Sequence, residues 1–226
     1  MAKIDKQKLP DSIEDSIIAL AADPFKELDF DIDTKHRLIY LRDDITILTP
    51  TFIRKRINLL CSLLDDYKTP ITLEVSSYGG DVYGMLGTVD VIKTAPMKIN
   101  VIGIGCVMSA ASFILASGTG IRALTKNSYI MIHDINGWIK GNHSDIITET
   151  AQLKKLQSLC YDIYAQNTNQ KSKYWESLVK SNIYINTAQA KKYGMIDEVL
   201  KTWNLKIKTK QPKKKAKSSK TSKTRT

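Results

Sequence analysis

The sequence lacks long hydrophobic runs: no stretch of 18 apolar residues, the length a membrane-spanning helix needs, occurs anywhere. The amino-terminal segment MAKIDKQKLPDSIEDS also lacks the apolar core of a secretory signal. Cysteine is scarce, since only Cys61, Cys106 and Cys160 occur, in apolar segments and without C-x-x-C spacing. This pattern favours no disulfide framework and no cysteine metal site. We therefore expect a soluble, cytoplasmic protein with no membrane partner, and we assign it no metal or cofactor.

A phosphate-binding loop of the form G-x-x-x-x-G-K-[ST] is missing, so the chain is not expected to hydrolyse ATP by that route. The net charge of +11 is unevenly distributed. Residues 201–226 contain 11 Lys and Arg and no Asp or Glu, which leaves 23 basic and 23 acidic side chains in residues 1–200. From residue 206 onward this tail has no aromatic side chain to stack on bases, so we do not expect nucleic-acid binding as its main function.

The length of 226 residues, with 42% hydrophobic content, allows one sizeable core. We predict three segments: a partly helical extension over residues 1–36, a folded domain over 37–201, and a disordered basic tail over 202–226. Within the domain, β-rich runs such as RLIYL, ITLEVS and MKINVIGIG alternate with helical patterns. One helix is expected from Thr49 or Thr51 to about Asp66, and another after Asp81. The alternation predicts an α/β fold with mainly parallel strands.

The stretch Gly103–Gly118, GIGCVMSAASFILASG, is the centre of this pattern, because an apolar strand passes through small residues into a helix there. Ser109 lies at the junction, and two interpretations are open. A serine at this position is a common helix N-cap. Alternatively, its hydroxyl faces unpaired backbone N–H groups that can stabilise an oxyanion.

Histidine is also scarce, and only His36, His133 and His143 could serve as a general base. His133 alone ends an apolar strand, YIMIH, where its ring could enter a cleft at a strand end. A structural histidine is the alternative. The pair Gly79-Gly80, taken alone, is typical of an ordinary turn.

Four segments, in order, resemble motifs of the ClpP family of self-compartmentalised serine peptidases: SSYGGDV, SAASFILASG, KNSYIMIH and INTAQAKKYGMIDEVL. They are similar to N-S-P-G-G-x, S-M-G-A-x-L-L-x-A-G, P-N-S-R-x-M-I-H and L-S-A-x-E-A-x-x-Y-G-L-I-D of that family. The resemblance covers about residues 37–201. It implies the ClpP/crotonase-like fold of repeated β-β-α units with a projecting handle helix.

The resemblance also implies roles for particular residues. Ser109 would be the nucleophile and His133 the general base, with Gly80 and Ala110 giving backbone N–H groups to the oxyanion. The residue that matches the family's triad aspartate is Asn182. An extended substrate would add as a strand to the strip formed by Gly137, Trp138, Ile139, Lys140 and Gly141.

The asparagine at position 182 leaves three outcomes open. Its amide oxygen can orient His133 but supplies no negative charge, and in a serine protease the same change lowers turnover by about 10⁴. Asn182 can suffice for slow peptidase activity; a carboxylate such as Asp134 or Asp81 can substitute for it; or the subunit is nearly silent and works beside an active one. We expect the first.

Assembly and partners are likewise implied by the resemblance. The predicted helix from Asp145 to Gln166 would be the handle that interleaves two stacked heptameric rings of a homo-oligomer. Unfolded polypeptides would be the substrates, and a separate AAA+ ATPase would feed folded ones. Residues 1–36 do not resemble the family's axial entry loops. The sequence therefore identifies no particular ATPase as the partner.

Two further alternatives belong to other classes. A crotonase-like enzyme acting on an acyl-CoA would need the N–H pair of Gly80 and Ala110 but not Ser109 or His133. A non-catalytic ring subunit, or a processing component of a virus-like assembly, would use its basic tail to bind nucleic acid or an acidic partner.

Overall fold

One mixed sheet of eight strands carries the helices of the folded domain. The computed structural model describes residues 31–179 and 181–201. The strands are β1 (Ile32–Asp33), β2 (Leu38–Leu41), β3 (Ile71–Ser77), β4 (Ile99–Met108), β5 (Arg122–Thr125), β6 (Tyr129–Ile132), β7 (Ile183–Asn186) and β8 (Glu198–Leu200). The helices are α1 (Thr49–Leu64), α2 (Val82–Thr94), α3 (Ala110–Ala116), α4 (His143–Asn167), α5 (Ser172–Leu178) and α6 (Thr187–Tyr193).

Parallel pairing dominates the sheet, as the alternation of strands and helices predicted. The strand order is β1-β2-β3-β4-β5-β8, with β6 added to β4 and β7 added to β6. The pairs β1–β2 and β6–β7 are antiparallel, and the other described pairs are parallel. The α/β class expected from the sequence is confirmed.

Strand β4 is shared along one edge by two neighbours. Its first half, Val101–Gly103, pairs with β5, and its last residues, Cys106–Met108, pair with β6. Gly105 separates the two halves in a left-handed conformation, with φ of 66°, that glycine adopts readily. Ser128 joins the halves, since its Oγ accepts from the Gly105 N–H at 2.9 Å and donates to the Gly103 carbonyl at 3.3 Å. This branch places the end of β6 beside the end of β4.

The two helices expected before Gly103 begin and end close to the predicted positions. Helix α1 has Pro50 in its first turn and ends at Asp65, whose left-handed backbone caps it. Helix α2 begins directly after Asp81, whose carboxylate accepts from the Gly84 N–H at 2.6 Å. This cap satisfies one of the free donors of the first turn, so the sequence determines where α2 starts.

The core lies between the sheet and the helices that cover it. Strands β3 and β4 contribute fully buried side chains such as Leu73, Val75 and Val101. All seven residues of α3 are buried, which is unusual for a surface helix. Each fully buried Leu, Ile or Phe contributes about 1.5–3 kcal/mol to stability. The turn that joins β4 to α3 is therefore held between two rigid, buried elements.

The predicted amino-terminal helix and the whole predicted tail, residues 202–226, lie outside the described residues. Strand β1 falls within the segment predicted as an extension and joins the sheet by pairing with β2. Across residues 31–179 and 181–201, none of the helices combines the length and the hydrophobicity that crossing a bilayer requires.

Candidate active site

Ser109 lies in a sharp turn between β4 and α3 and has a strained backbone. Its φ and ψ are 50° and −124°, outside the regions that a residue with a side chain normally occupies. Such strain amounts to about 1–3 kcal/mol and persists only where the surroundings enforce it. Here the Ser109 N–H donates to the Met131 carbonyl of β6 at 2.7 Å, and α3 is buried on every side. The serine is thus fixed at the strand-to-helix turn.

The N-cap interpretation of this serine fails in the structure. Ser109 occupies the N-cap position of α3, but its side chain makes no capping hydrogen bond. The positive φ turns the residue away from the extended conformation that an N-cap normally has. Its hydroxyl, partly exposed, therefore stays available for chemistry.

Gly79 approaches the serine turn, and Gly80 approaches Ile45, more closely than residues with a side chain could. A Cβ on Gly79 would lie 2.7 Å from both the Met108 carbonyl oxygen and the Ser109 Cβ. A Cβ on Gly80 would lie 2.2 Å from the Ile45 carbonyl oxygen. Both glycines also have positive φ, 103° and 143°. Gly79 is therefore in close contact with the Ser109 turn, and Gly80 is in close contact with Ile45.

The backbone N–H groups of Gly80 and Ala110 are both unbonded among the described residues. Ile45 bonds to the residues on either side of Gly80. Its N–H donates to the Gly79 carbonyl and its carbonyl accepts from the Asp81 N–H, at 2.7 Å each. Ala110 is the first residue of α3, where an N–H has no partner within the helix. Two free donors therefore flank the Ser109 turn.

The sheet register brings His133 and Asn182 to the same corner as Ser109. Met108 pairs with Met131, so Ser109 and His133 follow closely on the ends of two neighbouring parallel strands. Strand β7 runs antiparallel to β6 with Ile183 opposite Ile132, and Asn182 and His133 are the next positions along. Three residues that are far apart in sequence thus lie at the ends of three adjacent strands.

The His133 ring bonds its own neighbour. Its Nδ1 is within hydrogen-bond distance of the Asp134 backbone carbonyl. A carbonyl oxygen only accepts, so this bond requires the proton to be on Nδ1 and leaves the Nε2 lone pair free. Among the described residues, the side chains of Ser109, His133 and Asn182 make no hydrogen bonds with one another; Asn182 is exposed.

The two carboxylates that could replace the missing charge have other partners. Asp134 Oδ1 accepts from the Tyr161 hydroxyl at 2.7 Å. Burial, and then that hydrogen bond, raise the pKa of Tyr161, so its hydroxyl stays protonated and donates. Asp81 caps α2. Neither carboxylate contacts the imidazole in this conformation.

The strip predicted to bind substrate follows His133 and leads into α4. Gly137, Trp138, Lys140 and Gly141 are exposed, and Trp138 retains 88% of its accessible surface. No strand pairing involves this strip within the described part of the chain. The segment just before the strip is held to α4, because the Ile135 N–H donates to Gln157 Oε1 at 2.7 Å.

The remaining histidines lie elsewhere. His36 is in the β1–β2 turn, 2.7 Å from Asp33 Oδ2, and His143 begins α4 rather than lying in a loop, as its polar surroundings had suggested. Sequence reasoning missed Ser112, whose hydroxyl bonds to the Ser109 carbonyl, and Tyr164, whose hydroxyl bonds to Ser112. No motif marks them, since they are 52 residues apart. Within the described ranges no group of three or more potential metal ligands occurs.

Comparison with known proteins decides the family. The family model described as Clp protease matches residues 31–203. The chain belongs to the Clp protease family. Among the curated proteins, the ATP-dependent Clp protease proteolytic subunit of Nephroselmis olivacea is 28% identical over 148 residues, covering 63% of this chain and 71% of the relative. That relative is described as a proteolytic subunit, so the corner that holds Ser109 is a candidate peptidase site.

Proposed function

We propose that this chain is a serine endopeptidase subunit of a self-compartmentalised ring protease, with Ser109, His133 and Asn182 as its triad. One observation supports this most: Ser109 is held in a strained turn beside two unbonded N–H donors, at a strand end adjacent to His133. A merely structural turn would not need that strain.

The chemistry follows from this placement. The Ser109 hydroxyl attacks the carbonyl carbon of the scissile peptide while its proton passes to His133 Nε2. The negative charge on the former carbonyl oxygen accepts hydrogen bonds from the N–H groups of Gly80 and Ala110. His133 then gives its proton to the leaving amine, and the acyl group stays on Ser109. Water repeats the attack, with His133 again as base, and releases the acid and the free serine.

The third member of the triad determines which ring nitrogen of His133 carries the proton. Either the Asp134 backbone carbonyl, as found, or the Asn182 amide oxygen after rotation of the ring would hold the proton on Nδ1 and leave Nε2 as the base. Neither oxygen carries a full negative charge, so the imidazolium is stabilised less than by an aspartate. We therefore expect slow turnover.

Assembly into two stacked rings is supported by what the isolated chain exposes. Helix α4 is 25 residues long, and its first nine residues are all exposed. Ile146 and Ile147 on this end of α4 and Trp138 before it present apolar side chains to solvent. Apolar groups clustered on a projecting element are typical of subunit contacts. A chamber closed in this way would admit unfolded polypeptides, which would add as strands to the strip from Gly137 to Gly141.

A fluorophosphonate probe tests the proposal directly. It should modify Ser109 of the full-length wild type, and Ser109→Ala should abolish both labelling and hydrolysis of a fluorogenic peptide. Ser117→Ala, a buried serine of the same segment, is the control and should label normally. A wild type that stays unlabelled while it forms rings would contradict the proposal.

That contrary result would favour the second candidate function, a ring subunit of little activity beside an active partner. The uncharged side chain at position 182 and the engagement of His133 with Asp134 are the observations that favour it. Mixing with an active subunit would then raise hydrolysis without any labelling of Ser109.

A further inference from the structure

Two buried hydroxyls connect helix α4 to the turn that holds Ser109. Ser112 Oγ donates to the Ser109 carbonyl oxygen at 2.5 Å, and the Tyr164 hydroxyl lies 2.6 Å from Ser112 Oγ. Ser112 has no accessible surface and Tyr164 retains 2%. The chain of hydrogen bonds therefore runs entirely within the core.

The direction of these hydrogen bonds is fixed by the number of protons. The Ser112 hydroxyl has one hydrogen, and a carbonyl oxygen has none to give, so that hydrogen points to Ser109. The Tyr164 hydroxyl must then donate to Ser112. Burial raises the pKa of Tyr164, which keeps this donor protonated at neutral pH.

The end of the chain is a peptide group with a proposed role. The Ser109 carbonyl belongs to the same planar unit as the Ala110 N–H. In a trans peptide the oxygen and the N–H point in opposite directions. The two bonds that the Ser109 oxygen accepts, from Ser112 Oγ and from the Ser112 backbone N–H at 2.9 Å, therefore orient the N–H on the other side. Bonds in series also polarise one another, by roughly 10–30% per bond, which makes the N–H a stronger donor.

We propose that Ser112 and Tyr164 are positioning residues that hold and polarise the Ser109–Ala110 peptide, so that its N–H faces the oxyanion of the reaction. The inference rests on the proposed serine peptidase function. Tyr164 lies on α4, the helix that we place between rings. The chain of hydrogen bonds from Tyr164 through Ser112 to Ser109, here called the relay, therefore connects that helix to the turn that holds Ser109.

The ring of Tyr164 sets the place of its hydroxyl. It stacks on Phe113 of α3, with centroids 4.0 Å apart, and packs against Trp175 at 4.8 Å. Trp175 is itself anchored, since its Nε1 donates to Thr168 Oγ1 at 3.2 Å. Tyr164→Phe keeps these ring contacts and removes only the hydroxyl.

Four full-length variants test the relay by peptide hydrolysis and by urea unfolding: Ser112→Ala, Tyr164→Phe, the double variant, and Ser117→Ala as control. Ser117 is equally buried, on the same segment, and its hydroxyl has no partner among the described residues. Removing a whole oxyanion donor lowers kcat about 10²–10³-fold, so loosening one should lower it about tenfold in Ser112→Ala, with KM within about twofold. Tyr164→Phe should lower kcat about threefold, and Ser117→Ala should leave it unchanged.

The double variant separates positioning from stability. Ser112→Ala leaves the Tyr164 hydroxyl buried and unpaired and should destabilise the fold, whereas removing both hydroxyls restores part of that loss. Because the bonds act in series, kcat of the double variant should equal that of Ser112→Ala while its stability is higher. Recovery of kcat together with stability, or a kcat of Ser112→Ala within twofold of wild type, would overturn the inference.

Hydrogen exchange of the peptide that contains Ala110 gives a measurement that needs no activity. The exchange should be faster in Ser112→Ala and in the double variant and unchanged in Ser117→Ala; equal rates in all would overturn the relay. A wild type that neither labels at Ser109 nor cleaves overturns the proposed function itself and, with it, the catalytic part of this inference.

Discussion

At the scale of single residues, the site depends on backbone conformations that side chains normally oppose. Ser109 has φ of 50°, and the facing glycines have φ of 103° and 143°. The glycines adopt these angles without a steric penalty, whereas the serine does not. The backbone strain is therefore confined to Ser109, the residue that carries the proposed chemistry.

Gly79→Ala should be strongly destabilising, because its Cβ would lie 2.7 Å from the Met108 carbonyl oxygen and the Ser109 Cβ. We expect a loss of about 3 kcal/mol or more in the free energy of unfolding, measured by urea titration. Gly105→Ala is the matched control, since it shares a positive φ of 66° but its Cβ would meet nothing closer than 3.9 Å. It should cost about 1–2 kcal/mol. Equal losses would show that the contact with the serine turn is unimportant.

Asn182→Asp should raise peptide hydrolysis. An aspartate next to His133 would stabilise the imidazolium that forms when Ser109 loses its proton, so we expect kcat to rise at least about tenfold. The measurement is kcat of the full-length variant, with Asn186→Asp, at the far end of the strand that follows Asn182, as the charge control. An unchanged or lower rate would place the orienting group elsewhere, for example at the Asp134 carbonyl.

The sequence predicts a common site for three residues but not how they contact one another. The site of Ser109, His133 and Asn182 that the resemblance implies stays a prediction, and the strand register sets these positions at the ends of three neighbouring strands. The strained φ of Ser109 and the bond from His133 to its neighbour's carbonyl depend on tertiary packing, which no local pattern encodes. The hydrogen bond between Ser112 and Tyr164, which are 52 residues apart, could not be predicted for the same reason.

At the scale of elements, the helices were predictable and the pairing of strands less so. Asp81 caps the start of α2, as predicted, and Gly194 ends α6, where it adopts φ of 77°. Local capping chemistry determines such boundaries. The runs IRALT and YIMIH were both recognised as strands, but hydrophobic pattern does not specify partners. Their shared edge on β4 follows from the bend at Gly105.

Asp81 offers a test of an element boundary that is also a test of the site. Asp81→Ala removes the N-cap of α2 and should lower the free energy of unfolding by about 1 kcal/mol. Asp81→Asn keeps a capping oxygen and should lose only a few tenths. The asparagine variant also lacks the charge, so unchanged kcat would show that Asp81 does not serve His133. A clear drop in kcat of Asp81→Asn with normal stability would contradict our assignment.

At the scale of the whole molecule, buried titratable groups predict how stability depends on pH. Burial raises the pKa of Cys160 to about 12, and a hydrogen bond to Tyr193, with burial, raises that of Tyr174 to about 12. The folded state thus keeps protons that the unfolded chain releases from about pH 9 to 10 upward. Stability from these groups is fully present below that range and is lost as pH rises towards 12.

We therefore expect the urea midpoint to fall between about pH 8 and pH 11. Cys160→Ala should flatten this dependence, whereas Cys106→Ala, at a partly exposed cysteine, should leave it as in the wild type. The two variants are compared by the change in midpoint across the pH range, which removes any constant loss from the cavity. Parallel curves for the wild type and both variants would contradict the assignment.

The lateral order of the sheet also determines when, during synthesis, the proposed triad can be complete. A ribosome delivers Ser109 first and His133 soon after, but β7, which covers the outer edge of β6 and brings Asn182, comes some fifty residues after the histidine. Until residue 186 has left the exit tunnel, β6 has no outer neighbour to fix its end. In the nascent chain Ser109 is therefore present before the proposed triad is complete, so it should not react with other polypeptides during synthesis.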